Sequence, residues 1–291
     1  MLNKKIAIIG TSPIMNILAK ELSKKNKVIV FEKSNKFGGA WSLSKFRNHL
    51  FPDKTNLIVP NYYKDSKYTK EMNYYLKNKL QLNVKQTNQK IVLSKNVRFN
   101  PTKFYKYDIT KLLNKEFFKN LILKKKEIKK IIINKNGINI SNNSFDRIFI
   151  PSYSSVSLIK INNKIFKSEY KKITSKHLFL TSNKINQNKY LYKEEFNKLF
   201  DRIQILKKGD VVAFTGRIRK KFKKKNKKYL INNSGIKFEK LLFSKIISYT
   251  NYFRDYKQKK ILNKICRRSR FIELIDTSNF VTGYAKIKKY L

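Results

Sequence analysis

Cysteine occurs once in this chain, at Cys266, and histidine twice, at His49 and His177. A single thiol excludes an internal disulfide framework and any cysteine-based zinc cluster. The two histidines have no metal-ligand spacing, and no nucleophile–histidine–acid set can be assembled around them. No metal site is therefore expected. Acidic side chains are also scarce: 18 Asp plus Glu stand against 68 Lys plus Arg, a net charge of +50 over 291 residues. No stretch reaches the ~18 consecutive apolar residues of a membrane-spanning helix. Lys4-Lys5 followed by apolar residues mimics a leader, but Gly10, Thr11, Ser12, Pro13 and Asn16 break the run, so a cytoplasmic protein is expected. Internal repeats are absent.

With 41% hydrophobic and 13% aromatic residues and a mean hydropathy of −0.55, the composition is that of a globular chain with a sizeable core. The lysines are dispersed. Their densest cluster runs from Arg217 to Lys228, between the apolar stretches Val211 to Phe214 and Tyr229 to Ile231, and reads as a hairpin with a basic turn. Dispersed charge without a nucleic-acid motif gives no specific nucleic-acid partner. It leaves open a peripheral contact with an anionic membrane. Lys-, Asn- and Ile-rich composition is also what an AT-rich genome produces.

The order of parts at the start of the chain is more specific. The apolar strand Ile6 to Ile9 runs into Gly10, where a residue without Cβ can turn sharply. Ser12 suits a helix N-cap and Pro13 the first helical turn. The helix from about Pro13 to Lys24 then points its N-terminus, with unpaired N–H groups, at a diphosphate. A second apolar strand, Val28 to Phe31, ends on Glu32, placed to bind ribose hydroxyls. This order of parts is how an α/β fold builds a site for a dinucleotide; the loop alone reads equally as a strand-helix-strand unit that binds nothing. Its glycine loop departs from G-x-G-x-x-G: it reads Gly10-Thr11-Ser12-Pro13-Ile14-Met15, with only the first glycine kept.

After Glu32 comes Lys33-Ser34-Asn35-Lys36-Phe37-Gly38-Gly39-Ala40-Trp41. This continuation resembles the amino-terminal signature of the flavoproteins that include the amine oxidases, protoporphyrinogen oxidase and UDP-galactopyranose mutase. The resemblance implies an α/β fold: a Rossmann-like FAD/NAD(P)-binding domain with a second, mainly β (α+β) substrate domain. It implies FAD, with NAD(P) as the alternative. Gly10, Thr11, Ser12, Pro13, Ile14, Glu32, Lys33, Gly38, Gly39, Ala40 and Trp41 would line the cofactor.

Mid-chain, two apolar runs around Asn136-Gly137 read as a β-hairpin, followed by Asp146 and the strand Arg147 to Ile150. The same flavoproteins carry such a crossover. In them the chain also returns to the first domain at its end, where Gly283 would approach the cofactor. The expected domains are thus 1–155 with a return at about 270–291, and 156–269 as the substrate or cap domain. Within the second, residues 198–205 are loosely similar to a strand that lines the substrate side in those flavoproteins, which makes Arg202 a candidate anion-binding residue; a surface salt bridge with Asp201 or a neighbouring acid is the alternative. Further expectations are a loop over 46–66, helices over 67–82 and 109–120, short strands over 84–100 and a Tyr- and Phe-rich helical stretch over 236–265.

Taken together, these readings predict an FAD-dependent oxidoreductase acting on a small molecule such as a sugar nucleotide, amine or lipid. The alternatives are a non-catalytic relative that keeps the fold and not the cofactor, an NAD(P)-binding protein, and a basic nucleic-acid-binding protein.

Overall fold

The structure is a computed structural model. It describes residues 2–35, 37–46, 49–52, 57–58, 66–87, 90–92, 98–99, 104–135, 137–182, 191–194, 202–206, 211–216, 241–277 and 280–291. Side chains are described for 2–35, 37–39, 41–42, 68–83, 108–114, 116–135, 137–172, 252–277 and 280–291.

At its centre is a parallel sheet of five strands, in the order Ile122–Lys125, β2 (Lys27–Glu32), β1 (Lys5–Ile9), Arg147–Pro151 and Ile272–Ile275. β1 pairs with β2 on one side and with Arg147–Pro151 on the other. Both of its faces are covered, which explains its unbroken apolar run. The pleat divides the strands cleanly. Ile6, Ile8, Val28, Val30 and Phe149 face one core; Ala7, Ile9, Ile29, Phe31 and Ile148 face the other.

Helices fill the first side. Helix α1 (Pro13–Ser23) buries Ile14, Met15, Ile17, Leu18, Ala19 and Leu22. The last helix, Phe280–Ile287, packs beside it, and the helix Ser66–Tyr74 packs on the last helix. Met15, which replaces the third loop glycine, is fully buried in this core. The second side is covered by a five-stranded sheet and by the helix Tyr256–Cys266, which contributes Leu262, Ile265 and Cys266. The fold is therefore a Rossmann-like α/β fold with a second, mainly β part.

That mainly β part is a seven-stranded sheet containing Lys171–Ser182, Val211–Gly216, Arg202–Leu206 and Leu191–Glu194. Its longest ladder joins Lys171–Ser182 to Leu241–Phe253 in antiparallel register.

Several local readings need correction. His49–Pro52 and Leu57–Ile58 form strands inside the loop expected over 46–66. Residues 241–253 form a strand where a helical stretch was expected; helix begins only at Tyr256. Their β-branched and aromatic side chains favour a pleated surface. Residues 111–113 and 115–118 form short 3₁₀ turns instead of an α-helix over 109–120. Gly283 lies inside the last helix, not between a strand and a helical end. The mid-chain hairpin lies where its turn signal put it, with Lys130–Asn134 paired to Gly137–Ile140. The boundary expected at 155/156 runs through the five-stranded sheet, because Lys130–Asn134 pairs in parallel with Leu158–Ile161. The basic cluster 217–228 lies outside the described residues.

Candidate functional site

Three chain segments meet at the carboxyl end of β1 and β2. At the end of β1, Gly10 has φ +78°, and its amide donates to Phe31 O at 2.7 Å. A Cβ there would meet only Pro151 at 3.7 Å, so the left-handed backbone, and not crowding, requires glycine. Ser12 is the N-cap of α1 in extended conformation, and its carbonyl accepts the Asn16 amide at 2.9 Å. The amides of Ile14 and Met15 in the first turn have no intrahelical acceptor. Pro13 has no amide hydrogen to satisfy. The Ser12 hydroxyl is buried, makes no cap bond and has no partner.

Glu32 closes β2 with 6% of its surface exposed. One oxygen, Oε2, accepts the Thr11 amide at 3.1 Å and the Thr11 hydroxyl at 2.7 Å. The other, Oε1, accepts the Ser34 amide at 3.0 Å and the Ser34 hydroxyl at 3.1 Å. These four donors match the four lone-pair positions of a carboxylate. The Thr11 hydroxyl also accepts the Gly38 amide at 2.9 Å. Thr11 therefore ties together the β1 loop, the end of β2 and the Gly-Gly turn.

Gly38 has φ +102°, and a Cβ on it would stand 2.9 Å from Leu113 Cδ2 and from Ser42 N. Gly39 has φ +54° and nothing within 4 Å of a built Cβ, so that side of the turn is open. Gly39, Ala40 and Trp41 form one 3₁₀ turn. The Trp41 ring meets Phe280 edge-on at 6.2 Å. Lys33 lies with Nζ 3.6 Å from the centre of the Tyr252 ring. Burial, with some help from Lys172, lowers its pKa against the pull of Glu32 and Glu127.

The last helix completes this edge of the sheet. A Cβ on Gly283 would lie 2.9 Å from both Asp276 O and Ile14 Cγ1. The missing side chain thus lets the last helix pack closely on the first turn of α1. Both helices present their first turns at the carboxyl edge of the parallel sheet, where their dipoles favour an anion. The turn between strand and helix is fixed by Ser152, whose hydroxyl donates to Asp276 Oδ1 at 3.1 Å and accepts the Thr277 amide at 3.1 Å.

Of the residues singled out in the sequence, Gly10, Thr11, Ser12, Pro13, Ile14, Glu32, Gly38 and Gly39 come together here, with Trp41 at the rim. Ala40 is in the turn, with its side chain outside the described residues. Lys33 turns aside onto Tyr252. Gly283 packs on Ile14 and the Asp276 carbonyl. Arg202 opens the strand Arg202–Leu206, opposite Glu194 and Thr215; its side chain is outside the described residues. Sequence reading missed Ser152, Asp276 and Phe280. An apolar strand ending on Asp276-Thr277-Ser278 before a helical run is a recognisable start signal for that helix. Among the described residues, no group of three or more His, Cys, Asp and Glu side chains could hold a metal ion.

The fold recurs among solved structures. A CLA-producing fatty acid isomerase from P. acnes aligns over 98% of this chain and 97% of its own, with TM-score 0.56 and 9% identity. A double mutant of putrescine oxidase aligns over 99% and 98%, with TM-score 0.58 and 9% identity. The PF1083 protein from Pyrococcus furiosus aligns over 99% and 96%, with TM-score 0.52 and 10% identity. At such identity the likeness is one of fold. No family model matches the chain, and no curated protein matches it in sequence.

Proposed function

We propose that this chain is an FAD-dependent oxidoreductase that acts on a small molecule. The observation that carries the reading is the convergence of the Gly10 turn, the first turn of α1, Glu32 and the open side of Gly39 at one edge of a parallel sheet. That edge is where open α/β folds bind dinucleotides. The fold shared with putrescine oxidase supports the choice of class.

The residues present fit the cofactor. The left-handed turn at Gly10 leaves room for a diphosphate. The first-turn amides of Ile14 and Met15, which have no intrahelical acceptor, and the unpartnered Ser12 hydroxyl beside them offer donors to it. The Glu32 carboxylate is the acceptor for a ribose diol. Because its oxygens are already filled, a diol would displace the Ser34 hydroxyl, whereas the Thr11 pair is buried and stays. FAD, when bound, supplies hydride or electron transfer through its isoalloxazine ring. The seven-stranded sheet would carry the substrate side, with Arg202 as its anion-binding residue.

A second reading, a relative that keeps the fold without the cofactor, draws on the same four donors saturating Glu32. The ultraviolet–visible spectrum of the purified protein, with and without added FAD, separates the two. Retained absorbance near the ~450 nm flavin band supports the proposal. A colourless protein that stays colourless after FAD and gel filtration overturns it. Tight binding of NADH without FAD binding would replace FAD by NAD(P).

A further inference from the structure

The five-stranded sheet has the order Asn143–Phe145, Gly137–Ile140, Lys130–Asn134, Leu158–Ile161, Lys164–Lys167. None of these strands contains Asp or Glu. Its inward face buries Ile131, Ile133, Ile138, Ile140 and Ile159 in the core. Alternate residues therefore point outward. Strand register sets Lys130, Leu158 and Lys167 in one outward row, and Ile132, Lys160 and Ile165 in the next. Ile165 is 59% exposed.

Beside the edge strand runs the helix Tyr256–Cys266, tied to it by Ser168 Oγ donating to Gln258 O at 3.1 Å. This helix also lacks acids. It exposes Tyr256, by 72%, and Lys257, Lys260 and Lys264, and Arg267 and Arg268 follow it. Among the described acids around it, Asp255 caps the helix through the Gln258 amide, Glu127 pairs with Lys129, Asp146 accepts the Lys5 amide and pairs with Lys4, and Glu169 follows the edge strand. At the seam, a hollow of about 360 Å³ is lined by Ile161, Asn162, Lys164, Phe166 and Arg268.

We propose that this face docks on an anionic phospholipid bilayer. Lysines interleaved with the exposed Ile165 and the half-buried Ile132 and Leu158 on a sheet face match a surface that is negative at the headgroups and apolar just beneath. The hollow, with Lys164 and Arg268 in its wall, accepts a phosphate-bearing headgroup. Nucleic acid fits less well. Binding of unpaired bases uses free aromatic faces, and here each ring already carries a cation over one face. Lys260 Nζ lies 4.5 Å over Tyr256, Lys259 Nζ 4.3 Å over Tyr153 and Arg268 4.7 Å over Phe166. Ile132, Leu158 and Ile165 have no π-face at all. The proposal is independent of the cofactor reading.

The test is co-sedimentation of the full chain with vesicles of phosphatidylcholine alone and of phosphatidylcholine mixed with phosphatidylserine. Binding is expected only to the mixed vesicles. The triple variant Lys130→Gln, Lys167→Gln, Lys264→Gln should partition roughly a hundred-fold more weakly, since each basic residue near an anionic surface contributes about five-fold. A control triple on the helical side, Lys25→Gln, Lys77→Gln, Lys79→Gln, carries the same net charge and should lose little. Ile165→Ser, which alters no charge, should weaken binding several-fold and gives a second test if the triple variant melts early. Equal loss in both triples, or binding indifferent to phosphatidylserine, overturns the proposal. So does a single-stranded DNA oligomer binding through the same lysines while vesicles fail to bind.

Discussion

Replacing Thr11 by Val removes one oxygen atom and leaves side-chain shape nearly unchanged. Thr11 is 1% exposed. Its hydroxyl donates to the Glu32 carboxylate at 2.7 Å and accepts the Gly38 amide at 2.9 Å. A hydrogen bond to a charged group contributes about 1.5–3 kcal/mol, and a buried amide left unpaired costs about 1–3 kcal/mol. Thr11→Val should therefore destabilise the protein by about 3 kcal/mol. For a chain of this size that lowers Tm by roughly 6–12 °C. Thr11→Ser keeps both bonds and loses one buried methyl, worth about 1 kcal/mol. Thermal unfolding followed by circular dichroism ranks the three proteins. The same variants titrated with FAD should rank in the same order, because the hydroxyl joins the three segments that form the cradle. The reasoning fails if Thr11→Val melts within about 3 °C of the parent, or if Thr11→Ser is as damaging as Thr11→Val.

Other measurements probe other parts of the fold. Gly283→Ala should destabilise by about 1–3 kcal/mol, because the new methyl would press on the Asp276 carbonyl and Ile14 and force the two helices apart; urea midpoints check this. Cys266 is buried and its thiol is pushed up to about 12 by that burial, against the opposing pull of Arg254, so Ellman's reagent should label it slowly in the native protein and fast in urea. Burial alone would raise the Glu273 carboxyl, but the Tyr290 hydroxyl, Lys289 and Arg147 outweigh it and hold it below the ordinary carboxylate range. The stability this carboxylate contributes is present above its unfolded pKa and lost as pH falls through the folded one. The Tm gap between the parent and Glu273→Gln should thus be full at neutral pH and close on acidification. Arg254 is buried and donates to the carbonyls of Ser152, Ser154 and Val156. Arg254→Lys cannot fork to all of them and should cost about 2–4 kcal/mol in chemical denaturation.

The parts of the fold legible in the sequence are those fixed by local chemistry. Glycine with a left-handed backbone at Gly10, an Asn-Gly turn before Gly137, and unbroken apolar runs for strands covered on both faces all announce themselves. The role of Thr11 did not, since nothing local says that Gly38, 27 residues on, will meet its hydroxyl. Residues 241–253 misled because Leu242, Ile246 and Tyr249 also suit a helical stripe, and only the long ladder to 171–182 decides for strand. Gly283 stands inside a helix although glycine weakens helices. The close approach of Ile14 overrides that preference. The parallel pairing of Ile131 with Ile159 is a matter of tertiary register and leaves no mark on either segment.

The clasp at Arg254 has a consequence for how this chain can change. Its Nε donates to Ser168 Oγ at 3.3 Å, Tyr170 packs against Tyr252 at 4.7 Å, and Lys171 pairs with Phe253. The long excursion between residues 171 and 253 leaves and rejoins the parallel-sheet half side by side, like a cord entering and leaving one socket. With those ends held together, lengthening or shortening the excursion costs little, because closure entropy grows only with the logarithm of length. Everything beyond the socket is thus open to remodelling for a new substrate, while the parallel sheet and the cradle at Gly10 and Glu32 remain as they are.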